Sequence, residues 1–344
     1  MAYSLLRALL FRMDAERAHR FSIMSLKLLP EIGGARPDPM LRSTVAGLSF
    51  ANPVGLAAGF DKDGEVAHKV HMLGFGAAEL GSITPQPQHG NPKPRLFRLT
   101  EDRAVINRMG FNNHGQDAAR ARLRKAGAWP LVVGVNIGAN KDAADRIADY
   151  AQGVQAMAPH ADYLTINISS PNTPGLRALQ DRAALDELLA AVMAARGGRQ
   201  TPVFLKVAPD LEPADIEDIA AASVDHGIDA LIVSNTTITR PALRSAHGGE
   251  AGGLSGAPLR DLALARLRDF RAVLGTRLPL IGVGGIASAQ DAYARIRAGA
   301  SLVQLYSAMV YEGPFLARRV NAGLKTLLAR DGFANVSEAV GVDS

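Results

Sequence analysis

Residues 166–175 read INISSPNTPG, where the apolar run YLTINI ends in two serines, two asparagines and two prolines. Each asparagine amide offers a donor and an acceptor, each serine a hydroxyl, and proline locks φ near about −65°. Such a stretch is either a plain surface turn or the rigid polar floor of a pocket. Lys206 is the next candidate, closing the apolar run PVFLKV. Lysine is rarely buried unless paired, so it needs an anion or a strong dipole opposite it. The glycine run Gly282-Val283-Gly284-Gly285 is the third. Glycine lets backbone N–H groups approach an anion closely, and a following helix start adds a favourable dipole.

Something must bring these three together. Short apolar, β-branched runs recur at 53–58, 77–83, 131–137, 162–168, 202–207, 229–234, 279–283 and 301–306. Helix-like segments rich in Ala, Leu and Arg lie between most of them, at 142–157, 182–196, 213–226, 258–274 and 288–298. Strand–helix alternation predicts parallel strands with right-handed crossovers. Eight such strands predict an α/β fold, a (β/α)8 TIM barrel carrying an N-terminal helical extension. The expected organisation is an N-terminal helical segment over 1–40 and one barrel domain over 41–344. A barrel collects its chemistry at the C-terminal strand ends. Those ends carry 58–62 (AGFDK), Ser82, Asn136, Asn167 to Ser170, Lys206, Ser234 to Thr237, Gly282 to Gly285, and Tyr306-Ser307.

Composition narrows the classes. The 344 residues are 47% hydrophobic and 21% charged, with a net charge of +5 and no cysteine. The missing thiol excludes a disulfide framework, a thiolate zinc site, an iron–sulfur cluster and a cysteine nucleophile. Residues 1–29 hold Arg7, Arg12, Arg17, Arg20 and Lys27 against Asp14 and Glu16, a net +3 among many large apolar residues. No apolar run there reaches the roughly 18 residues of a membrane span. Arg7 splits the apolar stretch, so a secretory signal fits poorly. Two short amphipathic helices are predicted, divided near Met13 with Asp14 as N-cap of the second. Basic and apolar faces suit a membrane surface; a cap packed over a barrel end is the equal alternative.

The glycine run formally matches G-x-G-x-x-A at Gly282, Gly284 and Ala287, but the next strand offers no acidic residue for a ribose. Barrels hold phosphates at the loops after strands seven and eight, so a mononucleotide phosphate is the better reading. For Lys206 a structural ion pair is one reading. The other sets its cation against a flavin ring, where it would stabilise the negative charge that develops on reduction.

Ten ordered runs span the barrel: NPVGLAAGFDKDGE, GSITPQPQHGNPKPRLFR, INRMGFNNHG, GVNIGANK, INISSPNTPGLR, LKVAPD, SNTT, GGLSG, IGVGGI and LVQLYSAMVYEGP. On these the chain resembles the dihydroorotate dehydrogenases of the membrane-associated, quinone-using class 2. An N-terminal helical extension is typical of that class. The resemblance implies one FMN per chain and oxidation of (S)-dihydroorotate to orotate in pyrimidine (UMP) biosynthesis. A membrane quinone takes the electrons. It further implies a monomer without nucleic acid or metal, peripheral on the cytoplasmic side of the inner membrane through residues 1–30.

The family pattern sets the flavin against Ala58, Gly59, Phe60, Asp61, Lys62, Ser82, Asn136, Asn167, Lys206, Ser234, Gly256, Gly285, Tyr306 and Ser307. It sets dihydroorotate against Lys62, Asn107, Arg108, Met109, Gly110, Phe111, Asn167, Asn172, Asn235 and Thr236. The substrate is a cyclic diamide with a carboxylate; asparagine amides match its edge and Lys62 its charge. Ser82 departs mildly from the more usual threonine. The reaction takes a proton from C5 and a hydride from C6, the hydride passing to flavin N5. The soluble class uses cysteine as base, and Ser170 holds that position here. Serine is a poor base unaided, so a water or the Thr173 hydroxyl is expected to relay the proton. Ser169 is the competitor, but strand alternation aims neighbours oppositely.

Other features carry less. His68 and His71 stand i, i+3 on a predicted helix without a third ligand nearby. RLRKAGAWP around Arg122 to Pro130 reads as a solvated helix end, not a nucleic-acid surface. The glycine-rich loop at 240–256 is either a mobile segment closing near the flavin or merely exposed. A non-redox barrel, an isomerase or phosphate binder capped by its N-terminus, is the reading of a different class.

Overall fold

Eight parallel strands hydrogen-bond in chain order into a closed ring. They are β1 Val54–Leu56, β2 Ala77–Ile83, β3 Val132–Ile137, β4 Tyr163–Asn167, β5 Val203–Val207, β6 Ala230–Val233, β7 Leu280–Val283 and β8 Ala300–Leu305. The computed structural model describes residues 2–31, 37–127 and 129–344. Residues 32–36 of the predicted N-terminal segment and Ala128 of RLRKAGAWP lie outside the described residues. Each strand is almost wholly buried because helices cover the ring from outside while side chains fill it from within. Those helices include Arg146–Met157, Arg182–Arg196, Pro213–Asp225, Arg260–Leu274, Ala289–Arg297 and Leu316–Arg330. The helix expected from 142 begins at Arg146 because the Asp145 carboxylate accepts the Ala148 N–H and caps it there.

The lower barrel is a dry plug. Tyr163 stacks on Phe204 with ring centroids 4.5 Å apart, among Val45, Phe50, Ile232, Ile281 and Leu302. Val45 and Phe50 come from a hairpin, Ser43–Val45 with Leu48–Phe50, that closes the N-terminal end.

A second small sheet was not read from the sequence. Leu96–Leu99, Ala104–Asn107 and Gly253–Gly256 pair antiparallel around Phe97, Leu99, Ile106 and Leu254. It brings Asn107 and Gly256 from distant parts of the chain to the barrel mouth. The loop before Gly253 is laced to it. Arg240 donates to the carbonyls of Glu250 (2.8 Å) and Gly252 (2.7 Å), and Arg108 pairs with Glu250 at 2.7 Å. His68 and His71 sit on the 3₁₀ turn Ala67–Leu73, where His71 Nδ1 faces the His68 carbonyl at 2.8 Å.

Two helices, α1 Ala2–Phe11 and α2 Ala15–Leu28, lie over the mouth. Asp14 caps α2 by accepting the Arg17 N–H at 3.0 Å. Tyr3 donates to the Val310 carbonyl at 2.8 Å, and Arg98 donates to the carbonyls of Leu10 and Met13. Lys69 Nζ donates to the Lys27 and Leu29 carbonyls, each at 2.7 Å. Glu16 grips Arg95, 7% exposed, at 2.7 and 3.1 Å. The outer face is apolar: Leu9 is 60% and Leu28 83% exposed, beside Leu6, Phe21 and Met24. Among the described residues no helix is long and apolar enough to cross a membrane.

Burial works against ionisation of Glu16, but the hydrogen bond and charge of Arg95, with Lys93 nearby, hold its carboxyl below the usual range. A depressed carboxylate contributes stability that is full above its ordinary pKa and lost as pH falls through the depressed value. Glu16→Gln should therefore speed hydrogen exchange in α2 by roughly 1–3 kcal/mol of lost protection and leave the barrel's melting unchanged. The variant should also abolish the extra loosening of α2 that acid produces in the parent.

Candidate active site

The C-terminal strand ends open into one cavity of about 610 Å³. Its inner wall is polar. Asn107, Asn167, Ser170, Lys206, Asn235 and Thr236 all reach it, with Ser82 and Ser234. The floor is explained by Glu79, which sequence reasoning missed. Glu79 points into the barrel axis from β2 and is 1% exposed. Its carboxylate accepts from Asn136 Nδ2 (2.7 Å), Gln304 Nε2 (2.9 Å), Thr165 Oγ1 (3.1 Å) and the Tyr163 hydroxyl (3.3 Å). Lys206 Nζ lies 3.7 Å from it, with the lysine 4% exposed. The ammonium thus has its anion below and the cavity above, so the ion-pair reading of Lys206 holds and its other side faces the cavity.

Above this pair the asparagines interlock. Asn167 Nδ2 donates to Asn136 Oδ1 and Ser82 Oγ, both at 3.1 Å, and Ser82 also hydrogen-bonds Asn136. Ser169 donates to Asn167 Oδ1 at 2.8 Å and accepts from Asn235 Nδ2 at 2.9 Å. Ser169 is consumed within the wall, while Ser170 faces the cavity. The reason differs from strand alternation, because β4 ends at Asn167 and both serines lie in the turn beyond. The Asn172 N–H donates to Ser170 Oγ at 3.3 Å. The Thr173 hydroxyl is buried with no protein partner.

The remaining predicted residues divide cleanly. Ala58, Gly59, Phe60, Lys62, Gly256, Gly285, Tyr306 and Ser307 line the cavity, as do Met109, Gly110 and Phe111. Four do not. Asn136 stands behind Ser82 and Asn167 as their brace. Asp61 is turned inward, its carboxylate accepting the N–H groups of Val66 and Ala67 at 2.7 Å. Arg108 points away to Glu250, and Asn172 meets the cavity wall through Asn107 Oδ1, 3.2 Å from its Nδ2, and through its N–H on Ser170. Phe111 holds φ 52°, rare for a bulky residue. Its carbonyl is held by Asn113 Nδ2 (2.7 Å) and Gln88 Nε2 (3.2 Å), and its ring needs Gly138, where a Cβ would come within 2.8 Å.

The outer wall is apolar, built by Leu6, Leu10, Phe11, Phe21, Leu26 and Leu29 of the helical pair and its C-terminal end. His19 of α2, also missed, marks the junction. Its Nδ1 lies 3.0 Å from the Tyr306 hydroxyl and its Nε2 3.4 Å from Lys62 Nζ. Burial, with Lys62 and Arg20 adding to it, lowers its pKa well below the ordinary value, so the ring is neutral. An ammonium only donates, so Nε2 is the acceptor and Nδ1–H faces Tyr306. Burial also pushes Lys62 down to about 8, against the pull of Glu16 and Asp63.

The glycine turn Gly284-Gly285 meets Gly256 and Ser307 at one side of the cavity, and Lys206 stands at another. This donor set fits a flavin mononucleotide: glycines for the phosphate, the cation for the ring. A polar pocket with that set opens under an apolar throat at the mouth of a closed barrel. The comparisons agree. The family model for dihydroorotate dehydrogenase matches residues 40–328. A relative from Sphingopyxis alaskensis, named dihydroorotate dehydrogenase (quinone), is 64% identical over 99% of this chain and 96% of its own. One of the same name from Novosphingobium aromaticivorans is 63% identical, over 98% and 99%. The crystal structure of Eimeria tenella DHODH in complex with ferulenol matches at TM-score 0.93 and 41% identity, over 97% of this chain and 98% of that one. The chain belongs to the dihydroorotate dehydrogenase family.

Lys62 supplies a pH test. With burial pushing its pKa down to about 8, its ammonium is expected to deprotonate as pH rises through that value. Orotate affinity, measured by equilibrium dialysis, should fall about tenfold per pH unit above 8, as one lost proton requires. A flat profile to pH 10 would remove Lys62 as the counter-ion.

Proposed function

We propose that this chain oxidises (S)-dihydroorotate to orotate with one bound FMN and delivers the electrons to a membrane quinone. The observation that carries this reading is the continuity of the cavity. Its polar end suits a diamide with a carboxylate, and its apolar throat, between α1 and α2, suits a quinone.

Lys62 pairs with the substrate carboxylate. Asn107, bonded to Asn172, and Asn167 and Asn235, bonded to each other, turn their amides to the alternating donors and acceptors of the ring, and Thr236 closes that edge. Ser170 accepts the C5 proton. The Asn172 N–H on its oxygen favours the negative form that a serine base must approach. The unpartnered Thr173 hydroxyl is the natural next station, passing the proton outward through a water. The glycine turn and Lys206 would hold the FMN phosphate and ring, and the flavin would supply the acceptor for the C6 hydride and the link to the quinone. Tyr306 and His19 separate the two ends and keep bulk water out.

The exposed apolar face of α1 and α2, edged with arginines, docks a monomer on the cytoplasmic side of the inner membrane and opens the throat towards lipid. Burial of Leu9, Phe21, Met24 and Leu28 in the acyl boundary then complements that face.

Ser170→Ala should retain FMN, read as flavin absorbance of the purified protein, and lower the rate of flavin reduction by dihydroorotate by about 10²–10⁴-fold. Turnover within threefold of the parent would remove Ser170 as the base.

A further inference from the structure

One guanidinium outside the cavity ties together two of the loops that line it, those after β4 and β6. Arg177 Nε donates to the Ser169 carbonyl at 3.0 Å, and its Nη2 donates to the Thr236 carbonyl at 3.0 Å. Its Nη1 meets Asp210 Oδ2 at 2.8 Å. Asp210, from the loop after β5, is itself held by the Ile238 N–H at 3.1 Å and by the Thr237 hydroxyl. Three consecutive strand ends, β4, β5 and β6, therefore converge on a single ion pair.

We propose that Arg177, aimed by Asp210, is a positioning residue that sets the span between Ser170 and the Asn235-Thr236 edge. The proposal rests on Ser170 being the base. Ser169 and Thr236 are the anchor points: one adjoins the base, the other is itself part of the substrate wall. Neither Arg177 nor Asp210 lines the cavity, so their action runs through the backbone. Thr236 has no slack on its other side, because a Cβ at Gly253 would lie 1.9 Å from its Oγ1. On the β4 side Pro171 stiffens the turn directly after Ser170. With both loops stiff, the Asn235–Ser169 hydrogen bond sets their spacing at the side chains, and the rigid planar fork sets it at the backbone by bridging their carbonyls. Lysine carries its three donors on one nitrogen and cannot reach two carbonyls and a carboxylate spaced for Nε, Nη1 and Nη2. A reacting group displaced by about 1 Å loses on the order of 10²-fold in rate.

The two half-reactions separate this role from general stabilisation. In Arg177→Met holoenzyme, flavin reduction by dihydroorotate should slow by about 10²-fold, while reoxidation by a short-chain quinone stays within twofold of the parent. Arg177→Lys should recover no more than a small part of the loss. Asp210→Asn, which keeps the shape, should slow reduction about tenfold and covers the case in which the methionine variant does not fold. Hydrogen exchange of the apoprotein should quicken at residues 170–176 and 236–238 and nowhere else in the barrel. The proposal is overturned if reduction stays within threefold of the parent, or if both half-reactions fall together. It is overturned too if lysine restores the full rate. A parent protein that dihydroorotate does not reduce would instead overturn the proposed function.

Discussion

A lysine in the axis of a closed barrel needs an anion, and the site is organised around the way this chain provides one. Glu79 and Lys206 project from β2 and β5 into the same dry interior, 3.7 Å apart. Breaking such a pair costs about 3–5 kcal/mol because an uncompensated buried charge remains. The carboxylate spends its other lone pairs on Asn136, Thr165, Gln304 and Tyr163, so β2, β3, β4 and β8 are tied to one another beneath the cavity. Below this layer the barrel is apolar, with Tyr163 and Phe204 stacked. Above it the inward residues form the polar wall of the cavity. The ion pair is the boundary between plug and pocket.

From that boundary the polar wall builds upward in tiers. Asn136, fixed by Glu79, fixes Ser82 and Asn167; Asn167 fixes Ser169; Ser169 and Asn235 hold each other. Ser170 is left facing the cavity because its neighbour has been used up. The helical pair then supplies the opposite chemistry, an apolar throat, and is held in place by charged side chains at its edges. Its half-buried His19 is neutral and meets Tyr306 and Lys62 where the two environments join.

Much of this was legible in the sequence. The eight strands were read from short β-branched runs, 77–83 to the residue, because buried parallel strands carry a strong apolar signature, and the helix 182–196 was also read to the residue. Asp14 as a cap and the helix break near Met13 followed from local chemistry and hold. The family motifs brought most cavity-lining residues with them. What escaped reading depends on three-dimensional pairing. Glu79 was visible as a lone acid inside AAELGSI, and a lone base inside PVFLKV was visible too. Only barrel closure shows that both face the same axis. His19 sits in an amphipathic helix where nothing local distinguishes it. Asp61 and Arg108 fall within motifs whose neighbours line the cavity, yet their side chains serve loop structure, since a motif specifies a backbone run and not the direction of each side chain. The small antiparallel sheet joins segments some 150 residues apart, as its pairing of Gly256 with Ala104 shows. No local pattern can report such a contact.

The central claim is that one cavity joins a dihydroorotate pocket to a quinone throat through bound flavin. Anaerobic mixing of the purified yellow protein with dihydroorotate, followed by quinone, fumarate or NAD in parallel, tests it most directly. The account predicts bleaching of the flavin by dihydroorotate, rapid return of colour with quinone alone, and loss of that return when residues 1–30 are removed. A colourless protein, or a bleached flavin that fumarate or NAD reoxidises as fast as quinone, would contradict it.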